Sequence, residues 1–149
     1  MTARMFSKLL NSVLNGEPAK LPDADARLAL TALMVRIARS DEFYDDSEAE
    51  HIDRIIMERY ALSPFEATEL RREAEKAEAA AADTVQFTRA IKDAVPFEDR
   101  IAVVESLWQV VLADGKRDPE EDSILRLVSN LLGINDRDSA LARQRVGRS

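Results

Sequence analysis

Six carboxylates in two short stretches are the residues of this sequence best suited to chemistry. Asp114, Asp118 and Glu121 stand at Asp-x3-Asp-x2-Glu spacing in Leu112-Ala113-Asp114-Gly115-Lys116-Arg117-Asp118-Pro119-Glu120-Glu121. Asp41, Asp45 and Glu48 hold the same spacing in Arg39-Ser40-Asp41-Glu42-Phe43-Tyr44-Asp45-Asp46-Ser47-Glu48, and each residue of the second set lies 73 positions after its counterpart. Oxygen ligands gathered at a turn suit a hard cation such as calcium or magnesium. Each triad is therefore a candidate metal site, expected to bind Ca2+ or Mg2+ weakly. Neither is an EF-hand, whose loop takes oxygens at positions 1, 3 and 5 and a glutamate at 12. Counting from Asp114, position 3 is Lys116 and position 12 is Leu125.

The same residues have a purely structural explanation. Asp118-Pro119-Glu120-Glu121 reads as an N-cap, a proline at the first helical position and a capping glutamate, and Asp45 and Glu48 hold the equivalent places in the first stretch. A carboxylate at a helix N-terminus stabilises by roughly 0.3–1 kcal/mol. Asp41 and Asp114 follow helix C-termini, where the dipole disfavours negative charge, and bonds to following backbone N–H groups in Asx turns would offset that. The first stretch carries more uncompensated charge, because Lys116 and Arg117 accompany the second. The second is nevertheless expected to be the better chelate. Gly115 adopts a left-handed conformation freely, whereas Glu42 at the matching position pays roughly 1 kcal/mol or more for it.

The elements that must position these turns are helices. The chain has 149 residues, only four glycines and five prolines, and few aromatics, which predicts an all-α domain. That length suffices for one packed core burying roughly 70% of the unfolded surface. Cysteine is absent, which fits a reducing compartment, and a cytoplasmic location is expected. A formal net charge of −7 argues against affinity for nucleic-acid backbones and favours cations or basic partners. No apolar run approaches the roughly 18–20 residues of a membrane span. Without cysteine, with His51 as the one histidine and without a Gly-rich phosphate loop, no enzymatic constellation stands out.

Met1 to Leu14 has apolar residues at helical spacing and reads as an amphipathic helix, with Asn15 to Pro22 as a hinge; residues 1–22 thus form a unit apart from 23–149. Asp23 or Asp25 is expected to cap a helix running to Ser40, with Leu28, Leu30, Leu33, Met34, Ile37 and Ala38 as its buried face. Ile52, Ile55 and Ile56 mark the next helix, with His51 on its surface. Ser63-Pro64-Phe65-Glu66 is a capping box that opens another. Asp83-Thr84 caps the segment holding Phe87 and Ile91. From Phe97 to Ala113 the apolar set includes Ile101, Val104, Leu107, Trp108 and Val111, and Trp108 is expected in the core. Ile124, Leu125, Leu127, Val128, Leu131 and Leu132 define the last long helix, with Gly133 as its C-cap. A short helix then starts near Asn135, and Arg143, Arg145 and Arg148 are expected to form a solvated, frayed tail.

Ala38-Arg39-Ser40-Asp41 with Asp45 and Glu48, followed by Ala113-Asp114-Gly115 with Asp118 and Glu121, resembles the tellurite-resistance TerB-like proteins over roughly residues 25–135. The resemblance implies a compact helical domain of about seven to eight helices with two pseudo-twofold related helical hairpins. Related domains stand at the N-terminus of membrane-anchored DnaJ-like co-chaperones, and the family's acidic cluster is considered a metal or partner site. The expectation is a non-enzymatic acidic module of stress-response type. Its partners would be a divalent cation, a basic protein or a second copy of the chain, with membrane contact peripheral if any. In the alternative reading the turns are caps only, and the N-terminal amphipathic helix mediates oligomerisation or membrane-surface docking.

Overall fold

The structure, a computed structural model, describes residues 23–40, 44–113 and 119–147. The expected helix and hinge at 1–22 lie outside the described residues. Within them are seven α-helices and no strand: α1 (Asp23–Arg39), α2 (Asp46–Tyr60), α3 (Pro64–Ala80), α4 (Val85–Ala94), α5 (Arg100–Leu112), α6 (Pro119–Leu131) and α7 (Asp136–Gly147), with one 3-10 turn at Phe97–Asp99 ahead of α5.

The first of these organises the rest because its central stretch, Ala29 to Ala38, is apolar on nearly every side. From Ala29 to Ala38 every residue except Arg36 is buried, and the one polar residue in that buried set, Thr31, donates its hydroxyl to the Arg27 carbonyl at 2.7 Å. A helix without a polar face can only lie inside a protein. Accordingly α2, α3, α4, α5 and α6 all pack on α1, while α7 packs on α5 and α6. Burying side chains such as Leu33, Met34 and Ile37 stabilises by about 1.5–3 kcal/mol each, which fixes α1 as the centre of the core. The helix already includes Asp23 and Asp25, so neither is the capping residue that precedes it.

The expected signals at helix ends are largely realised. Ser63 and Glu66 form both bonds of the capping box, 3.1 Å and 3.0 Å, and these bonds hold the Glu66 carboxyl below its ordinary range. Thr84 precedes α4 but makes no side-chain cap; Asp83 accepts from the Val85 N–H instead, at 2.9 Å. Gly133 ends α6 with φ +82°, and Ala61 ends α2 in the same left-handed region with φ +53°.

Helix boundaries recur along the chain. The ends of α1 and α5, and the starts of α2 and α6, are each separated by the 73 positions that relate the acidic stretches. After the left-handed caps, Ser63 opens α3 and Asn135 opens α7, the latter by accepting from the Asp138 N–H at 2.8 Å. The recurring boundaries thus extend one helix beyond the expected hairpin.

Two expectations need correction. Leu127 is not on the buried face of α6 but 54% exposed, since it lies on the side turned away from Leu125 and Val128. Arg143 and Arg145 are not a frayed tail. The α7 helix continues to Gly147, Arg143 lies over the Trp108 ring at 5.3 Å, and Arg145 pairs with Glu105 at 3.0 Å. The stacking and the ion pair hold this helix to α5. Trp108 itself is buried as expected, its indole N–H donating to the Ser139 hydroxyl at 3.1 Å.

Candidate functional site

The exit of the first acidic turn is anchored by charge. Tyr44 donates its hydroxyl to a Glu75 carboxylate oxygen at 2.5 Å, and Arg39 lies over its ring at 5.1 Å. Burial first, and then the Glu75 carboxylate, push the phenol above its ordinary range. Glu75 also accepts from Arg71, which is paired with Asp53 of α2 at 2.6 Å. Arg36 and Arg39, in the last turn of α1, both reach Glu78 of α3, at 3.2 Å and 2.6 Å, and Arg36 further donates to the Ala81 carbonyl. The end of α1 and Tyr44, just before α2, are therefore each held to α3.

Asp45 stands at the N-cap of α2, accepts from the Glu48 N–H at 3.0 Å and is otherwise exposed. Its backbone is extended, as a capping residue requires. Glu48 follows in the first turn of the helix and is half-buried. Asp41, Asp114 and Asp118 lie outside the described residues, as do Glu42 and Gly115.

Glu121, in the first turn of α6, is 4% exposed, an unusual position for a carboxylate. It lines a cavity of about 10 Å³ together with Glu48, His51, Ala38 and Val110. The cavity has the size of one water molecule or one small ion. Its two glutamates come one from each acidic stretch, so the stretches meet here through their third members. Glu48 and Glu121 both bring a carboxylate to this one small space, where positive charge would be favoured. His51, one helical turn after Glu48, completes the polar lining. Among the described residues no group of three His, Asp or Glu side chains could hold a metal ion.

A protein-family model described as tellurite resistance protein TerB matches residues 27–144, from the second turn of α1 to the last turn of α7. The chain belongs to the TerB family. The match spans both acidic stretches and the helices around the cavity, so the TerB assignment does not rest on the carboxylates alone. No curated protein and no solved structure matches the chain. Among the described residues of this TerB-family chain, no helix is long and apolar enough to cross a membrane.

The spacing pattern named Glu48 and Glu121 but treated the two triads as separate, and it placed His51 on an open helix surface. His51 is instead half-buried at the cavity. The ion-pair frame of Arg36, Arg39, Tyr44, Arg71, Glu75 and Glu78 was not singled out. A signal existed in Arg36 and Arg39, two arginines near the end of a helix whose central stretch is apolar and must be buried.

Proposed function

We propose that this TerB-family chain is a non-catalytic acidic module that holds a divalent cation, calcium or magnesium, where its two acidic stretches meet. The observation that carries the reading is the shared cavity: Glu48 and Glu121, one from each stretch, line a space of about 10 Å³. Such a space accommodates a single ion and little else. Asp41, Asp114 and Asp118 would supply the further oxygens that a hard cation needs. A basic side chain of a protein partner would answer the same negative charge, and the match to a tellurite-resistance family supports a stress-response role.

One observation favours the alternative in which the turns are caps only. Asp45 is engaged as the N-cap of α2, a role that needs no ligand. Calcium and magnesium titrations of the full chain, by calorimetry and by thermal melts, separate the two readings. Bound cation must raise the melting temperature by mass action. Glu121→Gln and Asp114→Asn are expected to abolish the rise, with Asp41→Asn weakening it less. An absence of heat and of stabilisation at millimolar cation would leave the capping role alone.

A further inference from the structure

We propose that a second cleft, at the far end of α2, is a binding site for a small amphiphilic carboxylate. The cleft has a volume of about 190 Å³ and an apolar floor of Leu30, Ile91 and Val103, with Arg27, Arg59 and Tyr60 at its rim. Tyr60 lies twelve residues beyond Glu48 on the same helix, about 18 Å along its axis, so this is not the acidic cavity.

The rim is electropositive in a chain of net charge −7. Arg27 lies over the Tyr60 ring at 4.8 Å and Arg59 at 5.6 Å. Arg59 also donates to the Ser106 hydroxyl at 2.9 Å and to the Ala102 carbonyl at 3.3 Å, which fixes its guanidinium beside the cleft. Among the described residues neither arginine is within ion-pair distance of a carboxylate, although the chain has 28 acidic residues. Both spend their charge on an aromatic face instead. Arg27 is half-buried, so an anion meeting it is screened less than at an open surface.

The C-terminal end of α4 borders the cleft and would by itself repel an anion. Arg100 covers that end, donating to the Val95 carbonyl at 3.1 Å and to the Lys92 carbonyl at 3.2 Å. What remains open is a lipophilic floor beneath two guanidiniums held by one ring. Carboxylate and phosphate oxygens both match a guanidinium fork, and the apolar floor selects a carboxylate with an aliphatic tail over a bare inorganic anion. A space of about 190 Å³ admits a short aliphatic tail.

The test is a titration of the full chain with octanoate, followed through the backbone amide resonances, with octanamide and inorganic phosphate as comparison probes. Octanoate is expected to saturate with shifts at Tyr60, Ile91 and Val95, and to bind about tenfold more tightly than either comparison probe. Arg27→Gln, which removes the guanidinium from over the Tyr60 ring, should weaken octanoate by a similar factor while the chain still melts cooperatively. Saturation by octanamide as tight as by octanoate would overturn the proposal, as would unchanged affinity in Arg27→Gln, shifts confined to other residues, or no saturable binding. A fully folded Arg59→Gln variant that keeps wild-type affinity would remove Arg59 from the site and overturn the two-guanidinium rim.

Discussion

Glu78 shows what charge does at the scale of a residue. It sits in the last turn of α3, where the helix dipole disfavours a carboxylate, and its side chain is only 10% exposed. Arg36 and Arg39 reverse that penalty by converging on its two oxygens at 3.2 Å and 2.6 Å. Glu78→Gln is expected to cost about 1–3 kcal/mol in urea unfolding, since it leaves two partly buried guanidiniums short of charge. Glu69→Gln is the contrast: its pair with Arg72 is open to solvent on both sides, and the change should stay within about 0.5 kcal/mol. Equal losses in the two variants would show that the burial of Glu78 confers nothing. The pairing was not legible from sequence, because Arg36 and Arg39 lie 42 and 39 residues before Glu78. Periodicity reports which face of a helix is buried, and says nothing of which distant charge meets it.

At the scale of elements, the ends of α2 and α6 solve one problem with different residues. Each helix stops at a residue with positive φ and closes with a bond from the following residue, Leu62 N–H to Met57 O at 3.1 Å and Ile134 N–H to Ser129 O at 2.9 Å. Gly133 takes this conformation without strain, while Ala61 must hold its Cβ against the neighbouring carbonyl. Ala61→Gly should therefore stabilise the protein by about 0.5–1 kcal/mol. Gly133→Ala should destabilise it by about 1–2 kcal/mol or more, because the added Cβ would also stand 3.2 Å from a Phe97 ring carbon. Thermal melts of the two variants check both signs, and a stabilised Gly133→Ala would refute the account. Gly133 was readable as a C-cap from its type and place. Ala61 was not, since alanine favours helix and gives no sign of a left-handed stop; there the tertiary packing of α2 and α3 overrides local preference.

For the molecule as a whole, the all-α class and most helix starts could be read from composition, capping residues and apolar spacing, and Ser63 with Glu66 was complete in four letters. The centrality of α1 was also written in the sequence, as a run from Ala29 to Ala38 with no polar face. What could not be read was the meeting of Glu48 and Glu121, because it depends on how two helix pairs dock and not on either pair alone. The same reasoning bears on residues 1–22. The TerB-family match begins at residue 27, and the cluster of buried side chains from Ala29 to Ala142 is continuous among the described residues. The Asn-Gly-Glu-Pro-Ala-Lys-Leu-Pro stretch, read as a hinge, carries the expectation that Met1 to Leu14 stands apart from that core. Deleting Met1 to Leu14 is expected to leave cooperative unfolding intact and to change association, because the apolar spacing of that segment predicts an amphipathic helix whose apolar face would be lost with it. Sedimentation of the full and truncated chains, with calorimetric melts of both, decides the matter. A truncated chain that melts without a cooperative transition would place that segment inside the core, and unchanged sedimentation would take association away from it.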